Sequence, residues 1–399
     1  MPAADSSNNK QGDPRGGQSP ARRLRVGIDA HAIGSRLGGN ETYILDVLRG
    51  LQRFAQHDYF VYVTDAKAVE VARSACPAAR AIREMGHANP LVRLGYQLTA
   101  LARRDRVDVL HVQYVAPLFS PPIVASIHDL SFAHFPEWYT RVERTRFQLT
   151  VPWTARRARR ILTISEYSRQ DIIRTLRVPP QKVAFSHLCL RETFSPLGET
   201  QVEAVARKFG IRRPYILALG NLQPRKNLPR LIDAWSQLRR TTPGFTPQLV
   251  LVGKKAWKFG EILESAGNSE FAGDIVFTGY VDGADLPALF SGARLFVYPS
   301  LFEGFGYPPL EAMGCGTPVV TSNVASLPEV CGDAAEYVDP LDTADIARAT
   351  LKVYSDEDLR VRMREGGLAQ AARHRNNDLG AITVRAYEEA AAESSGAGK

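Results

Sequence analysis

The chain has 399 residues, 44% of them hydrophobic and 23% charged, and a formal net charge of +8. That is enough chain for two domains with separate cores, and the composition excludes a disordered or fibrous protein. No apolar run is long enough to cross a bilayer. The positive charge comes without a nucleic-acid-binding motif, so an anionic lipid surface or a phosphorylated acceptor explains it at least as well.

Residues 1–18 are rich in Ser, Asn, Gly and Pro and carry no signal-peptide pattern, so 1–22 is expected as a disordered tail. A strand is expected at 24–30 (LRVGIDA). The loop 34–40 (GSRLGGN) follows, then a helix over 41–54 with Tyr43, Ile44, Val47, Leu48 and Leu51 at helical spacing. Gly38 and Gly39 in that loop can bring backbone close to phosphate or sugar, although a tight turn explains them equally well. Further strand-like runs at 59–64, 109–112, 123–127 and 161–164 alternate with helical stretches, the pattern of a parallel sheet with crossover helices. The pattern dissolves near 194–203 and resumes at 214–219 (PYILAL), with strands expected at 248–252, 275–278, 295–298 and 319–321. Cys76, Cys189, Cys315 and Cys331 form no C-x-x-C pair and have no histidine at zinc-ligand spacing, so they are expected as reduced, buried thiols.

Several stretches carry chemistry. Residues 220–227 (GNLQPRKN) close the first strand of the second series, at the edge where open parallel sheets bind ligands. There Arg225 and Lys226 suit a diphosphate, one as a planar fork and the other as a point charge. His128 and Asp129 follow the strand at 123–127, as a structural turn or as a polar site. Gln113, Ser165 and Glu166 end two other strands, and the last two serve equally well as a helix cap. The most informative stretch is 300–318 (SLFEGFGYPPLEAMGCGTP), in which Glu303 and Glu311 bracket a glycine- and proline-rich segment. Gly304 and Gly306 permit close approach to a ligand, and Pro308 or Pro309 fits the first turn of a helix ending at Gly314 or Gly316. One acid then sits in a loop and the other in a helix's first turns, with free N–H groups between them. Such a set suits the hydroxyls and phosphates of a sugar nucleotide. The spacing of the two acids alone is a weak motif.

The whole of 300–318 resembles the E-x7-E signature of the retaining glycosyltransferases of family 4, together with the GTPVV that overlaps its end and the later SLPEVCGDAA. GNLQPRKN resembles that family's donor-phosphate motif. Asn221 stands where many members have arginine, so the arginine role passes to Arg225. SIHDLSFAHFPEWY resembles the family's His-Asp turn, and Gly38-Gly39 ahead of Tyr43 its glycine pair. The resemblance spans 24–392 and implies the α/β GT-B fold, two Rossmann-like domains with parallel sheets facing a central cleft. Residues 23–200 are the expected acceptor-side domain and 201–375 the donor-nucleotide domain, with a helix at 376–392 returning to the first domain and a tail at 393–399.

The resemblance also implies transfer of a hexose with retention at the anomeric carbon. Glu311 is expected on the ribose hydroxyls, Glu303 on those of the transferred sugar, Arg225 and Lys226 on the leaving diphosphate, and His128 beside the donor sugar. Asn221, Gly38, Gly39, Phe305, Gly306, Tyr307, Pro308 and Leu310 complete the expected donor site. No cofactor or metal is expected, the positive pair taking the place of an acidic D-x-D. The segments look most like bacterial mannosyltransferases of surface-polysaccharide assembly, so GDP-mannose is the expected donor, with UDP-sugars as the alternative. The expected acceptor is a glycan or lipid-linked oligosaccharide, reached by a cytoplasmic enzyme on the inner face of the membrane. The basic residues Arg141, Arg144, Arg146, Arg156, Arg157, Arg159 and Arg160 read by default as a solvated helix face, with docking on an anionic membrane surface as the alternative. The rival readings are a non-catalytic nucleotide-sugar-binding protein and a phosphorylase or epimerase of the same fold.

Overall fold

A computed structural model of the chain describes residues 22–34, 39–86, 89–256, 259–375 and 378–396. Gly38 and nearly all of the expected N-terminal tail lie outside the described residues. The first sheet contains β1 (Arg25–Asp29), β2 (Asp58–Val63), β3 (Ala81–Glu84), β4 (Val109–Gln113), β5 (Ile123–Ser126), β6 (Arg160–Thr163) and β7 (Val183–Phe185). They lie in the order β3-β2-β1-β4-β5-β6-β7, all parallel. The second sheet contains β8 (Tyr215–Leu219), β9 (Gln248–Val252), β10 (Ile275–Gly279), β11 (Leu295–Tyr298), β12 (Val319–Ser322) and β13 (Ala335–Val338). Its order is β10-β9-β8-β11-β12-β13, also parallel.

The central strands read as short apolar runs because helices cover both of their faces. Every residue of β4, β5, β9, β11 and β12 is buried. The strands that the sequence pattern does not announce are β3, β7 and β13. Each lies at a sheet edge and is only partly buried, so no continuous apolar run marks it.

The helices that bear on the site are α1 (Gly39–Leu51), α2 (Arg141–Arg157), α3 (Glu166–Leu176), α4 (Tyr307–Gly314), α5 (Leu327–Cys331) and α6 (Leu379–Gly396). α1 opens two residues before the expected start and ends three before the expected end. α6 runs on to Gly396, past the boundary expected at 392. It packs along α1 and across β4 to β7, so this helix of the later sequence lies on the first sheet. Tyr387 of α6 shares a 2.7 Å hydrogen bond with His111 of β4, and Arg160 of β6 bonds Glu389 at 2.7 Å and Glu393 at 2.6 Å.

The chain therefore crosses between the domains twice, and the two crossings are bonded to one another. Leu190 N donates to His374 O at 2.9 Å, and the Arg375 guanidinium donates to the carbonyls of Arg191 (3.2 Å) and Phe194 (2.6 Å). One apolar cluster runs through this seam, from Ile28 and Val47 in the first domain to Phe296, Leu310 and Met313 in the second.

α1 and α6 approach backbone to backbone. A Cβ on Gly380 would lie 2.7 Å from Gly50 O, and one on Gly50 would lie 2.9 Å from Gly380 Cα. Gly380→Ala is expected to destabilise the protein by about 1–3 kcal/mol, the usual cost of overpacking, because backbone rather than a flexible side chain would have to move. A denaturant midpoint unchanged from wild type would contradict this.

Candidate functional site

The site is built where β8 and β11 end, at the switch point of the second sheet. After β8 the chain turns through Gly220, whose φ of +147° suits glycine. A side chain there would collide with Lys226, whose Cε lies 2.8 Å from where a Cβ would stand, so the glycine gives the lysine its passage inward. Asn227 fixes the end of this turn by donating to Pro299 O at 3.0 Å and Pro340 O at 2.6 Å.

Glu303 lies at the centre, 7% exposed. Its carboxylate meets Arg225 Nη1 at 2.5 Å and Lys226 Nζ at 2.7 Å. It also accepts from Tyr298 OH at 2.8 Å and Ser300 Oγ at 2.6 Å. Burial opposes its ionisation, but Arg225 and Lys226 outweigh burial and hold the carboxyl down at about 2. Burial, aided by Arg225, draws the Lys226 ammonium down to about 8 against the pull of Glu303. Lys226 also bonds the Tyr298 hydroxyl. Tyr298 and Ser300 were not singled out from the sequence. Their only signal is position, at the carboxyl end of a strand just ahead of the acid.

The loop after Glu303 reaches the first domain. Gly304 O accepts from Ser165 Oγ (2.7 Å) and Ser168 Oγ (3.1 Å), and Ser168 Oγ also lies 2.9 Å from His128 O. A Cβ on Gly304 would lie 2.5 Å from that same carbonyl, so only glycine fits. Ser165 is thus both the cap of α3, accepting from Ser168 N at 3.1 Å, and a cross-domain contact. Glu329 of α5 accepts from the backbone N–H groups of Glu166 (2.7 Å) and Tyr167 (2.9 Å), so the second domain caps a helix of the first. His187 donates to Glu329 at 2.6 Å. Ser326 Oγ bonds the carbonyls of Glu303 (2.9 Å) and Phe305 (2.6 Å) and fixes the loop from behind.

His128 is 5% exposed and packs against Tyr43 of α1, with ring centroids 4.2 Å apart and the rings tilted by 60°. Burial draws its imidazole down to about 3, so it is neutral at ordinary pH, and neither ring nitrogen has a protein partner. Asp129 instead serves the turn, its carboxylate accepting from Ser131 N at 2.9 Å and Ser131 Oγ at 2.5 Å.

Glu311 lies in α4, 7% exposed, with Arg191 Nη2 3.4 Å away. Burial pushes its carboxyl up to about 7, Arg191 offsetting only part of the effect. Beside it the Tyr307 hydroxyl donates to Asp46 of α1 and to Cys189 O (3.3 Å), another bond across the seam. Arg191 and Asp46 are further residues that the sequence did not single out.

The remaining expected site residues are less directly placed. Phe305 is buried in the seam, and Gly306 has φ +120° with Leu327 Cδ2 2.9 Å from where a Cβ would stand. Pro308 is at the opening of α4 and has no N–H to offer a ligand. Leu310 is wholly buried in the core, and its N–H bonds Gly306 O at 3.4 Å. Asn221 lies at the end of β8, partly buried and outside the group bonded to Glu303. Gly39 opens α1 in open space. The chain's D-x-D triplet, 356–358, is a helix cap rather than part of this site. Asp356 accepts from Leu359 N at 2.9 Å, and Glu357 pairs with Arg294, which precedes β11. Among the described residues no group of three or more His, Cys, Asp or Glu could hold a metal ion.

Two parallel-sheet domains joined across such a site have the architecture of GT-B glycosyltransferases. Residues 202–370 match the family Glycosyl transferases group 1, and residues 37–188 match Glycosyltransferase Family 4. The O-antigen chain mannosyltransferase B of Escherichia coli is 35% identical over 296 residues, 72% of this chain and 76% of that one. The serotype-specific mannosyltransferase WbdA of Escherichia coli is 34% identical over 222 residues, 54% of this chain but only 27% of that longer protein. Among solved structures, Anabaena HepE in complex with UDP-glucose superposes with a TM-score of 0.71 at 17% identity, covering 94% of this chain and all of that one. A glycosyltransferase from Rickettsia africae gives 0.70 at 14% identity, covering 92% of this chain and 98% of that one. The chain belongs to glycosyltransferase family 4.

The buried Glu311 carboxyl has a consequence for stability. Between about pH 4.5 and 7 the folded chain binds more protons at this position than the unfolded chain, so its contribution to stability falls as pH rises and is lowest above 7. Glu311→Gln is therefore expected to stabilise the ligand-free protein at pH 8 by about 1–3 kcal/mol, with the gain shrinking toward pH 4.5. Denaturant titrations at pH 8 and pH 5 measure it, and a variant less stable than wild type at pH 8 would contradict the assignment.

Proposed function

We propose that this enzyme transfers mannose from GDP-mannose, with retention of anomeric configuration, onto a glycan or lipid-linked oligosaccharide in surface-polysaccharide assembly. The observation that carries this reading is the buried Glu303 flanked by Arg225 and Lys226, in a chain 35% identical to an O-antigen mannosyltransferase. In the proposed reaction Glu311 accepts hydrogen bonds from the ribose hydroxyls and Glu303 from those of the transferred sugar. Arg225 and Lys226 exchange part of their contact with Glu303 for the diphosphate, and neutralise it as charge develops on the leaving oxygen. Neutral His128 meets the sugar near the reacting carbon, and Phe305, Gly306 and Tyr307 border the donor. The leaving phosphate takes the acceptor's proton, so this reading needs neither a protein base nor a metal. The seam between the domains keeps water from the donor.

We also propose a cytoplasmic enzyme that touches the membrane through its first domain. No helix among the described residues is long and apolar enough to cross a membrane. Supporting peripheral contact, Val142 and Leu149 of α2 are 78% and 68% exposed on a helix rich in arginine, and Leu118 and Phe119 are exposed nearby. The solved complex of HepE with UDP-glucose favours a second reading, in which the donor is a UDP-sugar.

Release of nucleotide from GDP-, UDP- and ADP-sugars without metal discriminates between these donors. Hydrolysis of GDP-mannose is expected, falling at least tenfold in Glu311→Gln and Lys226→Ala. Because Glu311→Gln is expected to fold more stably than wild type, its loss of activity would not reflect unfolding. Preference for a UDP-sugar would overturn the donor, and full activity in both variants would overturn the site.

A further inference from the structure

The order of the first sheet reverses between β1 and β4, and open α/β sheets bind ligands in the crevice at the carboxyl ends of such a pair. Nothing in the donor site described above draws on the residues at these two strand ends. β1 ends at Asp29, 1% exposed, and His31 follows it. Asp29 Oδ1 lies 2.9 Å from His31 Nδ1, and its other oxygen accepts from Arg93. Arg93 Nη1 lies 2.9 Å from the same Nδ1, so the carboxylate and the guanidinium both face this edge of the ring and the Nε2 edge is left for another group. No partner for Nε2 occurs among the described residues, and the side chain is 30% exposed. Burial opposes the charge on Asp29, but His31 and Arg93 outweigh it and hold the carboxyl well below its usual range. Asp29 is therefore ionised, and it cancels the charge of the guanidinium beside it.

β4 ends at Gln113, which is 5% exposed, and neither its Oε1 nor its Nε2 has a partner. A buried amide without hydrogen bonds is costly to retain, so a native site that keeps one is poised to bond something else. Next in the sheet, β5 leads to His128, whose two ring nitrogens are likewise unpartnered. The orphaned groups thus form a row across three adjacent strands, beginning at the switch point and ending beside the proposed sugar-transfer site.

We infer that, within the expected acceptor-side domain, His31 and Gln113 at the β1/β4 crevice select the acceptor, and that they take an uncharged sugar through its hydroxyls. A hydroxyl donates and accepts at once, which matches an imidazole edge and an amide. A phosphate would call for a free cation, and among the described residues Arg93, the cation beside this ring, is already paired with Asp29. Asp29 and Arg93 are positioning residues that set the ring of His31. This inference rests on the glycosyltransferase reading and deepens it.

Saturation-transfer NMR on the full chain with GDP tests it, using methyl α-mannoside as the neutral probe and mannose 6-phosphate as the charged one. Saturable binding of methyl α-mannoside is expected, in preference to the phosphate. It should weaken at least tenfold in His31→Ala and in Gln113→Leu, and His31→Gln, whose amide reaches the place of Nε2, should restore part of it. The transfer-to-hydrolysis ratio of each variant should fall in parallel, a readout that a merely structural role would not move. Equal binding by the variants, preference for the phosphate, or no saturable binding of the neutral sugar would each overturn the inference. Failure of the enzyme reading itself shows separately, as wild-type protein that hydrolyses no sugar nucleotide.

Discussion

The structure of the site depends on one buried charge. A carboxylate as enclosed as Glu303 is tolerated only if cations and hydrogen-bond donors replace the water it loses. Here two cations and two hydroxyls do so, and they come from different segments. Arg225 and Lys226 follow β8, while Tyr298 and Ser300 close β11. The requirement to satisfy one acid thus draws together the ends of two adjacent strands. Gly220 meets the steric condition by leaving room for the lysine. In the proposed reaction a donor replaces contacts that already exist, its diphosphate competing with Glu303 for the same cations.

The same loop joins the second domain to the first. Gly304 fits against the backbone of His128 because it has no side chain, and its carbonyl is bonded by two serines at the start of α3. Glu329 adds a carboxylate at that helix's N-terminus, where the dipole favours negative charge. The loop of Glu303 and the turn of His128 are therefore held in register by contacts that exist only when the domains meet.

Much of this was legible in the sequence. The central strands follow from short apolar runs, and the two acids and two cations stand in segments whose residue types suit a sugar nucleotide. The edge strands β3, β7 and β13 were not legible, because a half-exposed edge needs no continuous apolar run. Nor was the direct contact of Glu303 with both cations, since residues 77 and 78 positions apart meet only through the pairing of β8 with β11. Arg191, Asp46 and Glu329 escaped notice for a similar reason. Each is an ordinary charged residue whose partner lies on another element, and only tertiary structure brings the two together. Gln113 was visible as the end of a strand, but its lack of partners is a property of the folded chain alone.

The double crossing of the chain near Leu190 and His374 sets how the domains can move. A single linker would let one domain swing about a point in any direction. Two strands of backbone lying side by side, tied by the Leu190–His374 hydrogen bond and by Arg375, behave as a door hinge with one axis. Displacement then grows with distance from that axis. The Tyr307–Cys189 contact, beside the crossing, would shift little, while the Gly304–His128 contact would part by more for the same angle. Opening would thus have a sequence, with its pivot side remaining assembled while the side of Glu303 and His128 parts.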